Sequence, residues 1–168
     1  KIQFLRSERR FCKPRLLLVG ITKEKSRNKT MIIIVDSDGL IGSLNPTDSH
    51  YLLSQKILSK LVQNSSKLIY PVTVIAETVT LFQGRLNQPE TAKQIIQLVK
   101  ENVLNIESVD IKTLQEAGTI MDLKGSKHNT LFDCIVAVVA RKHQADAVFS
   151  FDTFYKKKGF RLASELLK

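Results

Sequence analysis

Cysteine and histidine are both scarce. The 168 residues contain two cysteines, Cys12 and Cys134, and three histidines, His50, His128 and His143. Two cysteines so far apart make no disulfide framework, which points to a reducing, cytoplasmic setting. The histidines are dispersed and Cys134 stands alone, so no zinc cluster can be read from neighbouring residues. The longest apolar run of the first thirty residues, 16–19, is far too short to span a membrane and shorter than a signal-peptide core. Neither membrane insertion nor secretion is expected. Internal repeats and low-complexity tracts are also missing.

What is present suits one ordinary domain: 43% hydrophobic and 25% charged residues in a chain long enough to bury a core without disulfides. The net charge is +10, but it is unevenly spread. Residues 1–30 hold ten Lys/Arg against two Asp/Glu, whereas residues 31–168 hold sixteen against fourteen. Residues 1–30 therefore read as a basic N-terminal extension. It is an upstream stretch before a start at Met31, a solvated basic arm, or a small appended element. The remainder, 31–168, reads as the folded domain, and its near-neutral balance does not imply a uniformly basic nucleic-acid surface.

Residues 31–35, MIIIV, form an unbroken apolar run, the pattern of a strand buried on both faces in a parallel sheet. Further strands are expected at 67–70, 103–109 and 145–150, with a short last one at 159–163. Helices are expected from Asp48 or Ser49 to about Val62, from Pro71 or Thr73 to about Phe82, and at 89–102. Two more are expected at about 110–123 and 130–143. Strands alternating with helices predict an α/β fold around a mostly parallel sheet of four to five strands, covered on both faces.

Carboxylates interrupt this apolar pattern at four places. Asp36 ends the first strand, Glu77 lies in VIAETVTLF, Asp133 in LFDCIVAVVA, and Asp152 follows AVFSF. A charge near a core needs a compensating partner, and no Lys or Arg lies within four residues of Glu77. In a parallel α/β sheet, carboxyl strand ends and the following helix starts share one edge. Carboxylates gathered there repel one another unless a divalent cation neutralises them. An all-oxygen donor set favours Mg²⁺ or Mn²⁺, which suits phosphodiester hydrolysis. Each residue also has a plainer reading: Asp36 as a helix cap or turn residue, Glu77 as an exposed helix position, Asp133 as a charge on a helix dipole, Asp152 as an N-cap.

The segments MIIIVDSDGLIG, TVIAETVTL, LFDCIVAVVARKHQA and AVFSFDTFYKKKGF, in this order, make residues 31–168 resemble a PIN-domain ribonuclease, specifically the VapC-type toxin of toxin–antitoxin pairs. The family pattern falls on Asp36, Glu77, Asp133 and Asp152. Ser37 and Ser150 fall on its supporting hydroxyls, and Phe154 and Phe160 match its closing motif. One position departs: Asp38 stands where the family often has Asn, keeping an oxygen but adding a negative charge. The resemblance implies a three-layer α/β/α sandwich, Mg²⁺ or Mn²⁺ dependence and cleavage of single-stranded RNA. It further implies a homodimer and a cognate antitoxin protein that blocks the site. Asp36, Asp133 and Asp152 would be metal ligands, and Glu77 would bind metal or orient water. Lys124, Lys127 and His128 either contact phosphate or belong to a solvated loop.

Two other readings stand beside it. IIIVDSDG also resembles the first motif of haloacid-dehalogenase-like phosphatases, with Asp36 as nucleophile and Asp38 as general acid. The downstream acidic pair of that family is missing, since only Asp152 is present. The other is an inactive PIN-like scaffold that binds RNA or protein, against which all four acidic positions are filled.

Overall fold

A computed structural model describes residues 30–124 and 129–167. The expected extension falls on residues outside these, apart from Thr30, as do Lys127 and His128. The element order is β1 (Ile32–Val35), α1 (Ser37–Leu44), α2 (Tyr51–Gln63), β2 (Lys67–Pro71), α3 (Val72–Gln83) and α4 (Pro89–Lys100). It continues with β3 (Ile106–Glu107), α5 (Ile111–Ile120), α6 (Leu131–Lys142), β4 (Ala147–Phe149), α7 (Phe154–Lys157) and a closing 3₁₀ turn (Ala163–Leu167).

The sheet runs β3-β2-β1-β4 with every pair parallel, and helices cover it in a three-layer α/β/α sandwich. β1 is central: Ile34 pairs with Ile69 on one side and Val148 on the other. Ile33 and Ile34 are wholly buried, as an unbroken β-branched strand requires. α6 lies across β1 and β2 and buries every residue from Cys134 to Ala140, while α5 packs on α6 and α4 on α3. The chain leaves β1 towards β2 but later returns to β1's other side as β4. The carboxyl ends of β1 and β4 therefore flank a topological switch point, where open α/β sheets form their sites.

Three elements differ from expectation. α1 had no counterpart, because SDGLIGSL carries two glycines and little helix propensity. Asp36 starts it by accepting the Ser37 N–H at 2.7 Å. The third strand is an edge strand that shrinks to two residues; just before it, the Asn105 carbonyl accepts the Tyr70 N–H at 2.9 Å and its side chain donates Nδ2 to the Leu68 carbonyl at 3.1 Å. The last strand reduces to a single bridge, Leu162 beside Val148, before the chain turns into the 3₁₀ segment. Among the described residues no helix is long and apolar enough to cross a membrane.

Candidate active site

Asp36, Ser37 and Asp38 occupy the junction of β1 and α1. The Asp36 N–H donates to the Phe149 carbonyl at 3.1 Å, which ties the end of β1 to the end of β4. Asp36 is 3% exposed. Burial, reinforced by the negative charges of Asp38 and Asp133, holds its carboxyl well above the ordinary range, against the Ser37 N–H and the nearby Tyr155 hydroxyl.

Asp38 reaches across the switch point. Its Oδ2 accepts the Phe151 N–H at 2.8 Å and the Ser150 hydroxyl at 2.9 Å. Ser150 Oγ in turn accepts the Asp152 N–H at 3.0 Å. Asp38 thus fixes the loop that carries Asp152. Its other oxygen, Oδ1, is buried with no hydrogen-bond partner among the described residues. Burial pushes the Asp38 carboxyl up, and the Asp152 charge adds to this.

Glu77, on α3, is half-buried. Burial raises its carboxyl first and the charges of Asp133 and Asp38 add to it, while the Ser37 hydroxyl partly opposes them. Asp133 sits in the first turn of α6, where its Oδ2 accepts both the N–H and the hydroxyl of Thr130. Its carboxyl is also raised, chiefly by burial, then by the Asp152 charge. Asp152 Oδ1 accepts the Phe154 N–H at 2.7 Å, capping the turn that begins α7.

The fold therefore gathers Asp36, Asp38, Glu77, Asp133 and Asp152 within electrostatic reach of one another. Among the described residues no ion pair reaches any of them. The plainer readings of three residues hold as geometry, because Asp36, Asp133 and Asp152 each spend one oxygen on a helix start. That use anchors each carboxyl at a helix start. No three His, Cys, Asp or Glu among the described residues close into a ready ligand shell. The donor set still fits a hydrated hard cation, which keeps several waters and needs only one or two direct carboxylates. The buried, unpartnered Asp38 Oδ1 and the mutual repulsion are what such a cation would relieve. Lys124 lies exposed in the turn after α5, away from this cluster's hydrogen bonds.

Two contributors escaped sequence reasoning. Thr130 was read as a helix start, although the Thr-x-x-Asp spacing to Asp133 is a capping signal. Tyr155 was passed over beside Phe154. Its ring is wholly buried, yet its hydroxyl lies by Asp36 without completing a well-aligned hydrogen bond.

No curated protein matches the sequence. Among solved structures, VapC20 of Mycobacterium tuberculosis, a sarcin–ricin loop cleaving toxin, is similar in fold. Its TM-score is 0.64 at 19% identity, over 76% of this chain and 95% of that one. The family model described as PIN domain matches residues 33–161, which span β1 to the segment after α7 and all five clustered carboxylates. The chain belongs to the PIN domain family.

Proposed function

We propose that this chain is a Mg²⁺- or Mn²⁺-dependent ribonuclease that cuts single-stranded RNA, acting as the toxin of a toxin–antitoxin pair. The observation that carries this reading is the convergence of Asp36, Glu77, Asp133 and Asp152 at the switch point, with no ion pair to any of them among the described residues. A bound divalent cation would polarise the phosphodiester and stabilise charge on its leaving oxygen. Asp36, Asp133 and Asp152 would hold it, each carboxyl anchored by its hydrogen bond at a helix start. Glu77 is the member suited to take a proton from an attacking water, being half-exposed with a carboxyl raised above its ordinary value by burial. VapC20 is a toxin cleaving the sarcin–ricin loop, and the part carried over to this chain is the substrate class, RNA. A cytoplasmic location, a homodimer and a blocking antitoxin belong to the same proposal. Ile111 and Leu114 leave an apolar face exposed on α5 for a protein partner.

The purified chain, freed of any antitoxin, is expected to cut single-stranded RNA with Mg²⁺ or Mn²⁺ and to stop in EDTA. No cleavage with either metal would overturn the ribonuclease reading. Family membership replaces the phosphatase alternative, and Asp38 tests the difference. A general acid at Asp38 would be essential, whereas here its Oδ2 is committed to Ser150 and Phe151. Asp38→Asn preserves that acceptor and removes a repulsive charge. It is expected to keep RNA cleavage within about tenfold of the parent, about 1.4 kcal/mol in barrier. A phosphomonoesterase activity that vanishes in Asp38→Asn would favour the other chemistry.

A further inference from the structure

Tyr155 is the one large polar side chain driven fully inside at this site without a finished hydrogen bond among the described residues. It sits in α7, the single helical turn started by Asp152, with its ring edge-on to Phe154 at 5.3 Å between centroids. Phenylalanine would occupy the same volume. A buried hydroxyl with no partner is destabilising, and buried tyrosines usually find one. The group that the Tyr155 hydroxyl lies beside is the Asp36 carboxyl, which also accepts the Ser37 N–H at 2.7 Å.

We infer that Tyr155 is a positioning residue: its O–H donates to the Asp36 carboxylate and fixes the rotation of that group towards a divalent cation. The inference rests on the metal-dependent reading proposed above. One oxygen of Asp36 is already held by the Ser37 N–H. A second donor, on a different element, restricts the remaining freedom of the carboxylate. Partners that orient ligands in this way commonly contribute 10–100-fold, as a rough range, to metal affinity. Tyr155 touches neither substrate nor cation, so its effect passes wholly through Asp36.

The test is Mn²⁺ binding by calorimetry or electron paramagnetic resonance, on the full chain and on the Tyr155→Phe and Asp36→Asn variants. Thermal midpoints in EDTA are measured in parallel. The parent is expected to bind, and Asp36→Asn to lose binding. Tyr155→Phe is expected to bind on the order of tenfold more weakly while its midpoint in EDTA stays at or above the parent value. If Tyr155→Phe binds Mn²⁺ like the parent while Asp36→Asn does not, the positioning role is overturned and the metal site stands. A lowered midpoint with intact affinity would make Tyr155 a packing residue, again overturning the role. If the parent itself does not bind Mn²⁺, the metal reading fails and this inference with it.

Discussion

Asp36→Asn is expected to abolish RNA cleavage and, in EDTA, to make the protein more stable than its parent. The two effects share one cause. Asp36 is the most deeply buried carboxyl of the cluster, and its charge is opposed by burial and by Asp38 and Asp133. Asparagine keeps an oxygen for the Ser37 N–H, so the cap survives while the repulsion disappears. Removing such a charge is expected to add about 2 kcal/mol without metal. Losing a metal ligand removes several kcal/mol of transition-state stabilisation, roughly a thousandfold in rate. Thermal unfolding in EDTA and single-turnover RNA cleavage measure the two sides. A variant with normal cleavage would remove Asp36 from the site.

The same groups set the pH dependence. Asp36, Asp38 and Asp133 lie above their ordinary 3.8 and Glu77 above its ordinary 4.5 in the folded chain. The folded protein thus keeps protons that the unfolded chain has released. Their contribution to metal-free stability is full below about pH 4 and is lost as pH rises through the raised values. Glu107, Asp110 and Glu165 are lowered, so their contribution is lost only as pH falls into the acid range. In EDTA, stability is expected to peak in mild acid and decline towards neutrality. A divalent cation at 100 times its Kd restores about 2.7 kcal/mol. Asp36→Asn should flatten most of the decline.

Gly39→Ala is expected to cost about 3 kcal/mol or more, or to prevent folding. On an exposed helix this change would stabilise by up to about 1 kcal/mol. Here a Cβ would lie 2.2 Å from the Phe149 carbonyl oxygen and 3.0 Å from its carbon. That oxygen belongs to β4 and accepts the Asp36 N–H, so it cannot retreat without opening the junction of β1, α1 and β4. The displacement would also separate Asp38 from Ser150 and Phe151. Gly118, in α5, is the control. Nothing lies within 4 Å of its would-be Cβ, so Gly118→Ala should stabilise by roughly 0.5–1 kcal/mol. Urea denaturation compares the two, and equal midpoints for Gly39→Ala and the parent would refute the close approach of α1 to β4.

Much of the frame was legible because burial leaves a local trace. MIIIV could only be a strand covered on both faces, and CIVAVVA only a helix or strand sunk in the core. Asp110 announced α5 correctly, accepting the Thr113 N–H at 2.7 Å. α1 was hidden because its glycines serve close packing rather than helix propensity, Gly39 against β4 and Gly42 against Ser54 of α2, and these contacts are not local in the chain. Asp38 looked like either a spare ligand or a catalytic acid. Neither its sequence neighbours nor its spacing could reveal that its partners are Ser150 and Phe151.

By itself the sequence determined the alternation of strands and helices, the parallel character of the sheet, and which carboxylates interrupt apolar segments. Those properties follow from periodicity and from the cost of an uncompensated charge, both of which act over a few residues. Only the tertiary structure decided that the ends of β1 and β4 meet at the switch point. It alone showed that capping and clustering are compatible uses of the same carboxyl groups, and that Tyr155 turns its hydroxyl towards Asp36. These depend on contacts between residues distant in the chain, which packing creates and local pattern does not encode.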